Sequence, residues 1–126
     1  MKRVWAATVI FVILLCLSIC GIALTAHMTD NTEDYLEQAH QAAEMKDYKK
    51  ASDLIETITQ KWKGYHKIMS TYIPHARLEA IDQTLALLGP SIKDEDYNTF
   101  LPECSRAESM VNHLKDTEMP TADNVL

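Results

Sequence analysis

Residues 4–26 carry no charge, are almost wholly apolar, and follow directly on Met1-Lys2-Arg3. No other stretch constrains the chain so strongly. As a helix rising about 1.5 Å per residue, this run reaches roughly 34 Å, slightly more than the roughly 30 Å hydrocarbon core of a bilayer. It reads as a membrane anchor spanning residues 1–27. Lys2 and Arg3 flank its N-terminal end, whereas residues 27–38 hold no Lys or Arg but include Asp30, Glu33, Asp34 and Glu37. The positive-inside bias then places the N-terminus in the cytoplasm and residues 28–126 outside a cytoplasmic membrane as a single-pass ectodomain. A cleaved signal peptide is the rival reading, since Gly21-Ile22-Ala23 offers small residues at cleavage spacing, which would leave a secreted form. Leu17-Ser18-Ile19-Cys20 resembles a lipoprotein box only loosely, because Ile19 stands where a small residue is expected.

All 18 Asp and Glu lie beyond the anchor, against ten of the 12 Lys and Arg, which leaves that part formally at −8. A surface so acidic argues against nucleic acid as a partner. Lys61, Lys63, His66 and Lys67 form one local basic cluster, read here as a solvated helix face. Cys16 and Cys20 fall in the apolar run and Cys104 stands alone downstream, so the ectodomain has no disulfide framework and Cys104 is expected in the core.

About a hundred residues suffice for one small core. Gly occurs only at 21, 64 and 89, no Asn-Gly or Asp-Gly pair offers a tight hairpin, and no segment alternates long enough for a strand. The chain is therefore expected to be all-α, a transmembrane helix followed by a small antiparallel bundle of about four helices. Asp30 and Glu33 have capping-box spacing and predict a fresh helix start near Glu33, running to Met45. Asp47 is a plausible N-cap for a long helix with the stripe Ala51, Leu54, Ile58, Trp62, Tyr65, Met69, Tyr72. The segment from Ala39 through Asp47-Tyr48 to Ala51 resembles the turn of a tetratricopeptide-type hairpin, with one such unit visible. Pro74 either opens or kinks a helix that carries Leu78, Ile81, Leu85 and Leu88, and Gly89-Pro90 is expected to end it. Asp94 or Asp96 can cap a last helix through Cys104, Ala107, Val111 and Leu114, beyond which residues 117–126 are expected to fold back on the bundle.

Several of these features together resemble one bacterial family, domain of unknown function 4363. They are the N-terminal membrane segment, Trp62 on a long helix, His75 followed by Leu78 and Ile81-Asp82, and the closing Glu118, Pro120, Thr121, Asn124, Val125, Leu126. The resemblance spans nearly the whole chain and implies a small single-pass helical protein. It brings no activity, cofactor or catalytic residue with it.

The best chemical constellation is His75, Glu79 and Asp82, which share one helix face at i, i+4 and i+7 and would suit a mixed metal site or an acid–base pair. No second ligand motif supports it, so His75 is expected instead as a half-buried polar anchor between helices. Trp62, Tyr65, Tyr72 and Tyr97 are expected in the core, the alternative being an aromatic pocket for a small envelope ligand around Trp62 and Tyr72. The leading expectation is a non-enzymatic, membrane-tethered interaction or accessory module, without cofactor, whose partner is another membrane protein. Trp62, His75, Asp82, Glu118, Pro120, Asn124 and Leu126 are its structural or interaction residues. An enzyme using His75, Glu79 and Asp82 is the alternative from a different class.

Overall fold

The computed structural model describes residues 1–118, and these form four helices: α1 (Lys2–Glu44), α2 (Tyr48–Met69), α3 (His75–Lys93) and α4 (Tyr97–Glu118). No strand occurs among the described residues. The helices alternate in direction around a ring in which α1 packs on α2 and α4, and α3 packs on the same two from the other side. The core they enclose includes Leu36, Ile55, Ile58, Trp62, Leu78, Ile81, Leu85, Leu88, Phe100, Cys104 and Val111. In α2, Ile55 takes the fully buried place and Leu54 is only partly covered.

The helix start expected near Glu33 is absent. α1 runs unbroken for 43 residues, so the apolar run and the first bundle helix are one rod. Residues 2–20 are exposed, and burial begins at Thr25, Met28 and Thr29. Three threonines in this stretch are weak helix formers, yet each buried hydroxyl bonds back to the carbonyl four residues before it. Thr25 reaches Gly21, Thr29 reaches Thr25 and Thr32 reaches Met28, all at 2.8 Å. Asp30 and Glu33 do not cap because they are taken by α4: Lys115 Nζ donates to Asp30 at 2.5 Å and Asn112 Nδ2 to Glu33 at 3.2 Å.

The two outer turns are built alike. After α1, Asp47 N–H bonds the Ala42 carbonyl at 2.8 Å, Lys46 has φ 63°, and the Asp47 carboxylate accepts from Lys50 N–H at 3.3 Å. After α3, Asp96 N–H bonds the Ser91 carbonyl at 2.9 Å, Glu95 has φ 59°, and the Asp96 carboxylate accepts from Thr99 N–H at 3.3 Å. Tyr48 and Tyr97, the residues after the two caps, stack with ring centroids 3.9 Å apart. From Asp47 to Asp96 is a shift of 49 positions, and the same shift carries buried Leu36, Ala39, Ala43, Ala51, Ile55, Ile58 and Trp62 onto buried Leu85, Leu88, Ile92, Phe100, Cys104, Ala107 and Val111. The bundle is thus one helical hairpin used twice, and the single unit read from the sequence has a counterpart.

Gly89-Pro90 does not end α3, which continues to Lys93. Gly89 keeps an ordinary helical backbone, and Pro90 removes a single amide donor. Ser91 and Ile92 are buried beyond it, and Ser91 Oγ donates to the Leu87 carbonyl at 2.7 Å. Burial outweighs the local stop signal. Pro74 stands at the N-cap of α3 and opens the helix without kinking the one before. The fold-back expected for residues 117–126, with Pro120, Asn124 and Leu126, falls almost wholly outside the described residues; Glu118 is the last residue of α4.

Cys104 is fully buried, donates from Sγ to the Leu36 carbonyl at 3.3 Å, and has its thiol pushed up to about 12 by burial. A thiol so far from ionisation is a poor nucleophile. Iodoacetamide at pH 8 is expected to leave Cys104 unmodified in the folded protein and to alkylate it in denaturant, read by peptide mass. Comparable labelling in both states would show that the α1–α4 contact opens readily.

Candidate functional site

Side chains from α2 and α3 converge on one polar cluster beside a shallow cleft. Trp62 and His66 lie one helical turn apart on α2, and the connection 70–74 folds α3 back so that Asp82 faces both. The buried Trp62 indole N–H donates to Asp82 Oδ1, which satisfies the one polar atom that this core side chain carries. His66 Nδ1 sits 2.9 Å from Asp82 Oδ2 and 3.0 Å from Oδ1. The His66 ring meets His75 edge-on at 5.6 Å between centroids. Thr59, Lys63, Leu85 and Ala86 complete the cleft walls.

His75 itself is exposed, which corrects its expected role as a half-buried anchor: His66 holds that place. Glu79 is exposed as well, and Asp82 turns toward α2. No three His, Cys, Asp or Glu side chains among the described residues gather into a set able to hold a metal ion. Trp62 is in the core as expected, while Tyr65 and Tyr97 are partly covered and Tyr72 is 45% exposed. Trp62 and Tyr72 line separate clefts. Tyr72 stands in the middle of the α2–α3 connection, and its hydroxyl lies 2.5 Å from Thr25 Oγ1 of α1. The i, i+4 spacing of Trp62 and His66 was the available signal for the cluster. Its acidic partner, 16 residues beyond His66, becomes visible only once Pro74 has turned the chain.

The face between α1 and α4 is acidic. Glu108 on α4 is half-buried, and burial, reinforced by Glu37, Glu33 and Glu44, raises its carboxyl above the usual range against the opposing pull of His40. The fold therefore retains that proton to higher pH than the unfolded chain does. Its contribution is favourable below the ordinary glutamate pKa and is lost as pH rises through the raised value. Glu108→Gln is expected to raise the melting temperature slightly at pH 7 and to make no difference near pH 4. A variant less stable than wild type at pH 7 would contradict the assignment.

The arrangement defines a four-helix bundle whose first helix extends, uncovered and apolar, far enough to cross a membrane. The chain belongs to the family described as Domain of unknown function (DUF4363), whose family model matches residues 20–125. No curated protein and no solved structure matches it.

Proposed function

We propose that this protein is a single-pass, membrane-anchored accessory module. In this reading its N-terminus is cytoplasmic, its helical bundle stands on the outer face of a bacterial cytoplasmic membrane, and its work is to engage another membrane protein without catalysing a reaction. The observation that carries the reading is the 43-residue α1: none of its most apolar window is covered by protein, and the same helix continues into the bundle core. An apolar surface of that size is too large to leave in water. Tethering raises the local concentration of a partner in the same bilayer, so a weak contact suffices. The polar cluster of Trp62, His66 and Asp82 serves as a clamp between α2 and α3, since its carboxylate is engaged by two donors of the same chain.

Two experiments test the reading. A reporter fused after Leu126 that is active only outside the cytoplasm, combined with alkaline extraction of membranes, is expected to show a retained, outward-facing protein. A cytoplasmic reporter or release into the alkaline supernatant would refute the anchor. Crosslinking in native membranes followed by capture is expected to return one reproducible membrane-protein partner, and recovery of monomer alone would remove the accessory role.

A further inference from the structure

We infer that the bundle makes a second, surface contact with the membrane: the corner where α2 ends and α3 begins seats on anionic phospholipid headgroups. The inference rests on the anchor reading above. Cross-helix bonds set the depth of this corner against α1. Tyr72 pairs with Thr25 at 2.5 Å and Asn31 donates to Tyr65 at 2.7 Å, so Lys67 lies between these two levels. With the apolar run centred near residue 15, a half-thickness of about 15 Å brings the hydrocarbon boundary to about residue 25, the level of Tyr72. The headgroup layer adds roughly 5–7 Å, which takes it to about residue 29, the level of Lys67. Lys63 stands one turn higher, within reach of its long side chain.

The chemistry of the corner fits that depth. Tyr72, 45% exposed, overhangs Leu17, Ser18 and Ile22 of α1, which face lipid once α1 is inserted, and tyrosine favours this boundary. Ile68 beside it is 43% exposed. Lys63 and Lys67 are exposed on the α2 side of the connection, and His75 is exposed at the start of α3. Of the acids at this height, Asp30 pairs with Lys115, Asp116 lies beside that lysine on α4, Glu33 accepts from Asn112, Asp82 is engaged by Trp62 and His66, and Glu79 is exposed on α3 near the corner. An acidic protein thus presents a locally basic, aromatic-tipped corner at headgroup height. Each basic side chain so placed favours contact with an anionic leaflet by about fivefold.

The test uses the full chain carrying Trp5→Phe and Tyr72→Trp, reconstituted in phosphatidylcholine vesicles with or without phosphatidylglycerol and containing lipid brominated near the headgroup end of its acyl chains. Quenching is taken relative to Trp5→Phe alone, which subtracts the core Trp62. Seating predicts strong quenching of the reporter at 72 in anionic vesicles, at least several-fold weaker in phosphatidylcholine alone, and equally weak in anionic vesicles after Lys63→Glu with Lys67→Glu. Circular dichroism confirms that the variants remain helical. Protein that floats with vesicles but shows no quenching, or quenching indifferent to lipid charge, overturns the seat and leaves the anchor standing. Protein that fails to float overturns both.

Discussion

Phe100→Ala lowers the unfolding free energy of the bundle by about 4 kcal/mol, a large share of the 5–15 kcal/mol that holds a domain of this size together. Phe100 is fully inaccessible and sits one turn into α4, just past the Asp96 cap. Its counterpart in the first hairpin is Ala51, and around the same turn the first hairpin has Ala39, Ala42 and Ala43 where the second has Leu88, Ser91 and Ile92. The truncation removes a fully buried ring, and the loss grows with the volume that the surrounding core leaves unfilled. Urea unfolding of the full chain in mild detergent, followed at 222 nm, measures the loss. A change below about 1 kcal/mol would mean that the end of the bundle relaxes freely, against the packing described here.

A proline at position 27 separates the apolar run from the bundle. His27 is exposed, so His27→Pro removes little packing, but it deletes an amide donor and forces the ring against the preceding turn, at a local cost of about 3 kcal/mol. The bundle is expected to survive, because the fully buried residues of α1 all lie at Thr25 or later. What is lost is the straight path. Spin labels at Val9 and Glu44, in a chain whose Cys16, Cys20 and Cys104 are replaced by Ala, should lie about 52 Å apart along an unbroken helix. The wild-type distance distribution is expected to be narrow, and His27→Pro should shorten and broaden it while His27→Ala leaves it alone. Two broad distributions would show that α1 is not a rigid rod across the junction.

Much of this architecture was legible from local signals: an all-α bundle of about four helices, the Asp47 cap, and Trp62 and Cys104 in the core, while the sequence leaves Asp96 as one of two candidate caps and Pro74 open between starting a helix and kinking one. The differences share one physical cause, which is that distant contacts override local preferences. Asp30 and Glu33 have the spacing of a capping box, yet side chains about 80 residues away claim both carboxylates and the helix runs through. Gly89-Pro90 has the composition of a stop, yet Ser91 and Ile92 are buried beyond it. Both outer turns put Lys46 and Glu95 in the left-handed region, where a search for glycine finds nothing. The doubled hairpin is hidden because most equivalent core positions differ in size, as Ala51 and Phe100 do, and only the Asp-Tyr step after each turn and the pair Leu36 and Leu85 repeat in letters. His75 drew attention by its spacing to Glu79 and Asp82, but the chain reversal at Pro74 gives Asp82 to His66 instead.

If α1 is anchored as proposed, its unbroken course also makes it a lever. From the end of the apolar run to Glu44 the helix extends about 27 Å, so a change of 10° in the tilt of the inserted segment displaces the far turns by about 5 Å. Inserted helices tilt in response to bilayer thickness, and with no hinge between membrane and bundle such a change becomes sideways travel of the Tyr48–Tyr97 end.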